Sequence, residues 1–186
     1  SLARDTQIIT TNSDTIFANA NDWVGGNPQG DITLVEFMDY RCGYCRKAYS
    51  EVDQLIKTDG NIRFVVKEFP ILGEASMLSA QFAIALRQLH GDEAYATAHD
   101  ALMTLRGEPT PETLARVASD MGLDPAPILE RMKAPEVQAV IQANYALAEQ
   151  MDITGTPAFI MGDSVMRGYA PLDVMRDFVK DMRADG

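Results

Sequence analysis

Cysteine is nearly absent: the 186 residues hold two, Cys42 and Cys45. A small domain stapled by disulfides would carry more of them, at wider spacing. A loop closed over two intervening residues also restrains the unfolded chain very little, so the pair is a poor staple and points to chemistry instead. Positive charge is scarce as well. Sixteen Lys and Arg stand against 27 Asp and Glu, a formal net charge of -11. That balance argues against nucleic acid and anionic membrane as partners, because both reward clustered cations. Long apolar runs are missing too, and no stretch reaches the roughly 18 residues that a membrane-spanning helix needs. Histidine is limited to His90 and His99. Neither stands at metal-ligand spacing from the other or from the cysteines, and both read as surface or helix-end residues. With no second cysteine pair, a closed four-ligand zinc site is excluded, and no resident metal or cofactor is expected. Ser1 in place of an initiating Met predicts a mature or trimmed chain, and no leader is legible at its start.

What is present suits one domain with a substantial insertion. Residues 1–23 are weakly patterned, with Ile8, Ile9, Ile16 and Phe17 able to share a helix face. Gly25, Gly26, Asn27, Pro28 and Gly30 read as a turn cluster. Ile32 to Met38 is almost continuously apolar, as in a strand covered on both faces of a parallel sheet. From Cys45 onward Ala48, Tyr49, Val52, Leu55 and Ile56 recur at helical spacing until Gly60, and Ile62 to Lys67 reads as a second strand. A helical block follows. Gly91 closes its first helix, while Thr110-Pro111, Asp124-Pro125 and Pro135 mark later starts. Two short strands, Ala158 to Met161 and Ser164 to Arg167, flank Gly162-Asp163 as a hairpin, and a last helix buries Leu172, Met175, Phe178, Val179 and Met182. The order strand, helix, strand, helical block, hairpin, helix is that of an α/β protein. The ten Met residues are dispersed and read as core filling.

The chemistry concentrates in Glu36-Phe37-Met38-Asp39-Tyr40-Arg41-Cys42-Gly43-Tyr44-Cys45. A Cys-x-x-Cys pair between a buried strand and an amphipathic helix is a strong signal for a redox dithiol. Cys42 falls at the helix start, where unpaired N–H groups and the macrodipole favour a thiolate, the reacting species. Arg41, Arg46 and Lys47 are expected to add positive charge nearby. A competing reading of the same pair is a metal-binding module, since two thiolates suit Cu(I).

The strand–Cys-x-x-Cys–helix unit, the helical block and Thr154-Gly155-Thr156-Pro157-Ala158-Phe159-Ile160 together resemble the DsbA-like branch of the thioredoxin fold. The likeness extends to its bacterial branch that includes the suppressor-of-copper-sensitivity C proteins. That resemblance implies an N-terminal extension over 1–23, a thioredoxin-like domain from 24–70 and 151–186, and an inserted helical subdomain over 71–150. It implies that Cys42 is the exposed nucleophile and Cys45 the less exposed resolving thiol. It also implies that Pro157 is a cis-proline facing them, with Thr156 offering backbone groups to an extended substrate. Glu36 becomes a buried acid that relays a proton near Cys45. Gly43 and Tyr44, between the cysteines, tune the redox poise and touch substrate. Thr156 and the Gly-Tyr pair favour an isomerase or reductase over a dedicated oxidase. The implied partners are substrate proteins with cysteines or disulfides and a membrane redox partner. The implied place is the periplasm, and the expected state of this chain is a monomer.

Overall fold

A computed structural model describes residues 2–186, and everything below concerns them. The chain opens with two helices, α1 (Leu2–Thr11) and α2 (Ser13–Phe17), and a strand β1 (Trp23–Gly26). The unit β2 (Ile32–Met38), α3 (Gly43–Asp59) and β3 (Ile62–Glu68) comes next. Five helices then follow: α4 (Glu74–His90), α5 (Asp92–Met103), α6 (Pro111–Asp120), α7 (Pro125–Arg131) and α8 (Pro135–Gln150). The chain returns to the sheet as β4 (Ala158–Met161) and β5 (Ser164–Arg167) and ends in α9 (Leu172–Asp185).

The strands form one mixed sheet in the order β1-β3-β2-β4-β5. β2 is central. It runs parallel to β3, with Glu36 opposite Val66, and antiparallel to β4, with Glu36 opposite Phe159. Both faces of β2 are covered, which is why its sequence is almost continuously apolar. Leu34 and Met38 join the core under α3, α9 and the helical block. Val35 and Phe37 join a second core, with Ile9 of α1, Ile16 of α2 and Leu147 of α8. The weak pattern of the first residues therefore corresponds to helices that cover one side of the sheet. Arg167 of β5 pins α1 through both carboxylate oxygens of Asp5, at 3.0 and 3.1 Å.

One expectation changes here. Gly25 and Gly26 lie in β1, antiparallel to β3, instead of in a turn. The reason is close approach. A Cβ on Gly25 would fall 2.1 Å from the Trp23 ring, and Gly26 sits at φ 64 against the Ile62 carbonyl. Lys67, at the end of an apolar strand, is fully buried. Its ammonium donates to Asp22 at 2.5 Å and to the Thr15 carbonyl at 2.7 Å, so the entry to β1 carries its counter-charge.

The helix starts legible in the sequence have a visible physical basis. Thr110 accepts from the Thr113 N–H at 3.2 Å and Asp124 from the Ala126 N–H at 3.1 Å, each just before a Pro at the first helical position. Gly60 ends α3 in the left-handed conformation, at φ 78.

Candidate active site

The dithiol stands where β2 hands over to α3. Asp39 holds that corner. Its carboxylate accepts from the Arg41 N–H at 2.7 Å, the Ile71 N–H at 2.8 Å and the Ser76 hydroxyl at 2.8 Å. One acid thus joins the dithiol turn, the loop after β3 and the start of α4. Cys42 is the N-cap of α3 in extended conformation, with no side-chain cap of its own. As N-cap it stands at the helix end, where free N–H groups and the macrodipole favour negative charge. The Thr156–Pro157 peptide is cis, and the Cys42 thiol donates to the Thr156 carbonyl at 3.4 Å. Both cysteines are free thiols in this structure.

Cys42 is less open than a surface nucleophile would be. It is 8% exposed, against 0% for Cys45, because the Thr156 loop lies over it. The difference between the two sulfurs still separates them, since only Cys42 touches the surface. Burial, and after it the charge of Glu36, pushes the Cys45 thiol well above the ordinary range. Glu36, in the middle of β2, is 4% exposed, and no group hydrogen-bonds its carboxylate among the described residues. Burial alone raises it to about 8. It also lines a cavity of about 430 Å³ between α3, α5 and β1, shared with Trp23, Tyr49, Phe64 and His99.

The rim is aromatic. Tyr44 is exposed and stacks on Tyr169, from the loop after β5, at 5.9 Å between centroids. Lys47 caps the Tyr169 ring at 4.7 Å, and the Tyr169 hydroxyl donates to Glu51 at 2.5 Å. The neighbouring Gly168 N–H donates to the Pro157 carbonyl at 2.9 Å. Tyr169 carries no signal in the sequence that would assign it to the site. Its loop reaches the dithiol only because β4 and β5 pair as a hairpin.

Two of the charges expected near Cys42 have partners of their own. Lys47 is engaged on Tyr169, and the guanidinium of Arg46 points into the end of α5, where it donates to the Leu102 and Leu105 carbonyls. His99, expected at the surface, is 5% exposed. Burial holds its imidazole down near 4, hence neutral. A long apolar face on α5 conceals such a residue, because the sequence does not tell which side of that helix meets the sheet. His90 does end α4 and is exposed. Beside His99 lies a second buried acid, Glu68. Tyr95 donates to its Oε2, and the Tyr40 phenol stands 2.8 Å from that oxygen and 2.8 Å from His99 Nδ1. Its other oxygen, Oε1, is buried without a partner. Among the described residues no three His, Cys, Asp or Glu side chains converge as a metal-ligand set.

A family model described as the DSBA-like thioredoxin domain matches residues 33–180. A thioredoxin-like oxidoreductase from Silicibacter pomeroyi is 41% identical, with a TM-score of 0.85 over 92% of this chain and 97% of that one. The thiol-disulfide exchange protein alpha-DsbA2 of Wolbachia pipientis is 29% identical, with a TM-score of 0.87 over 97% and 98%. The catalytic domain of Proteus mirabilis ScsC shares the fold at 21% identity, with a TM-score of 0.87 over 96% and 98%. The curated relatives that match first are larger proteins. The chain aligns with 21% of the length of the Na(+)/H(+) antiporter NhaA 1 of Salinispora arenicola, at 29% identity over 75% of this chain. The model match spans most of the chain and includes β2, both cysteines and the Thr156–Pro157 loop, so this protein belongs to the family of DSBA-like thioredoxin domains.

Proposed function

We propose that the chain is a thiol–disulfide oxidoreductase working on protein substrates through Cys42 and Cys45. The observation that carries this reading is the asymmetry of the two sulfurs. One sits at a helix N-terminus under the cis-Pro157 loop. The other is sealed inside, next to an acid with no partner of its own.

In the reducing direction, the Cys42 thiolate attacks one sulfur of a substrate disulfide. That S–S bond breaks, one substrate sulfur leaves as a thiolate, and the other stays bonded to Cys42. Cys45 then gives its proton to the Glu36 carboxylate and attacks the Cys42 sulfur. The Cys42–Cys45 disulfide forms, the mixed disulfide breaks, and the substrate departs with two more electrons than it brought. In the oxidising direction every step reverses, and the Glu36 carboxylic acid returns a proton to Cys45 as it leaves. An acid held near 8 can do both near neutral pH. The Thr156 backbone pairs with an extended substrate segment, and exposed Tyr44 flanks it together with Gly43.

The Gly43-Tyr44 dipeptide and Thr156 favour reduction or isomerisation over pure oxidation. The chain acts as a monomer in the periplasm, where disulfides persist, and exchanges electrons with a membrane redox partner. No helix of the described residues is long and apolar enough to cross a membrane itself. The test is equilibration with a glutathione redox series, read by thiol alkylation and mass. A reversible two-electron couple is expected. A potential of about -120 to -180 mV assigns it to oxidants and isomerases, and one of about -270 mV to reductases. No reversible disulfide at any poise defeats the reading.

A further inference from the structure

Beyond the Asp39–Ser76 bond to α4, the dithiol turn is gripped from α5 at Tyr40, two positions before Cys42. Tyr40 is 1% exposed, yet both of its polar ends are engaged. Its backbone oxygen accepts from Arg46 Nη1 at 3.2 Å. The same guanidinium donates to the Leu102 carbonyl at 3.1 Å and, through Nη2, to the Leu105 carbonyl at 2.5 Å. Leu102 lies in the last turn of α5 and Leu105 just beyond it, at the helix C-terminus, where a cation is favoured. At its other end, the Tyr40 phenol meets His99 Nδ1 of α5 and Oε2 of Glu68. A third link joins α5 to α3 itself, from the Tyr49 hydroxyl to Asp100 at 2.8 Å.

None of these groups hydrogen-bonds the Cys42 sulfur, whose partner is the Thr156 carbonyl. Three carbonyls from two separate segments meet on one planar fork, a geometry that an ammonium group cannot reproduce. We propose that Arg46 and His99 are positioning residues, which hold Tyr40 by its carbonyl and its phenol and thereby fix the turn that presents Cys42 to substrate. The helical block is then part of the redox apparatus, through α5. This rests on the reading of Cys42 as a reacting thiolate.

The alternatives are that Arg46 acts on Cys42 by charge alone, or that both residues serve stability alone. Four full-length variants separate them: Arg46→Lys, Arg46→Met, His99→Phe and His99→Gln. Each is reduced, and the alkylation rate of Cys42 by iodoacetamide is followed against pH, with a thermal melt to confirm folding. Arg46→Lys keeps the charge and loses the fork. His99→Phe keeps the ring packing and changes no charge, since the native imidazole is neutral. The midpoint of Cys42 alkylation is expected to rise in both by about one pH unit, equivalent to about tenfold less thiolate at a fixed lower pH. Arg46→Met should move it further, and His99→Gln, which restores a hydrogen-bonding group, should move it back toward the parent. A parental midpoint in either Arg46→Lys or His99→Phe overturns the proposal. Alkylation needs no exchange activity, so this result stands apart from the glutathione equilibrium that tests the function.

Discussion

Glu36 and Glu68 lie on adjacent parallel strands, and burial raises both to about 8. Their surroundings differ. Glu68 is enclosed, with one oxygen shared by two tyrosines and the other facing no partner. Glu36 has no hydrogen-bond partner among the described residues, lines a cavity, and stands close enough to Cys45 to raise its thiol further. Equal acidity can thus arise in a carboxyl that is knit into the fold and in one left free to trade a proton. The proposed relay role of Glu36 rests on this difference: the lack of competing bonds and the nearness of Cys45.

The largest expected effect breaks the pair apart in kinetics. Glu36→Gln should slow the closure of the mixed disulfide by Cys45 by about a hundredfold, within the range general acid–base groups contribute. Glu68→Gln should leave that step nearly unchanged. Stopped-flow measurement of substrate release decides it, and equal slowing in both variants would dissolve the distinction.

Next in size is stability. Glu68→Ala strips partners from the Tyr40 and Tyr95 hydroxyls and leaves a void, and should cost about 3 kcal/mol in urea unfolding. Glu36→Ala removes no hydrogen bond, so its loss should be clearly smaller.

A subtler effect appears with pH. Each acid is protonated in the folded chain up to about 8 but ionises near an ordinary 4.5 when unfolded. The folded chain therefore binds more protons between those values. Each acid contributes stability that is complete below 4.5, declines as pH rises, and is gone above 8. The slope is about 1.4 kcal/mol per pH unit for each acid. His99 works in the opposite sense. Held near 4 against an ordinary 6.5, it makes stability rise with pH between those values. The decline should therefore be read from pH 6.5 to 8, where either Glu36→Gln or Glu68→Gln should remove about half of it. A flat unfolding free energy across that window in the parent would mean that neither carboxyl is protonated in the fold.

The reach of local reading shows in particular residues. Cys42 and Cys45 needed only their spacing and the strand and helix around them, because the period of apolar residues is set by backbone geometry within a few residues. The caps Thr110 and Asp124 were legible for the same reason, each bonding an N–H two or three residues on. Gly25 and Gly26 read as a turn because a strand with two glycines takes its structure from its neighbours, here β3 on one side and the Trp23 ring above Gly25. The burial of His99 and the α5 partners of Arg46 were not legible because they come from segments 56 to 59 positions away.

By itself, then, the amino-acid sequence determined the place of the Cys-x-x-Cys pair between strand and helix, the α/β order with its helical block, and the family resemblance. These rest on contacts between near neighbours and on patterns that any local backbone imposes. Only the tertiary structure decided that Glu36 goes unpartnered while Glu68 does not, that Tyr169 joins Tyr44 at the rim, and that Arg46 bridges the Tyr40 carbonyl and the end of α5. Desolvation and hydrogen bonding depend on what closes over a residue in space, and no window along the chain contains that information.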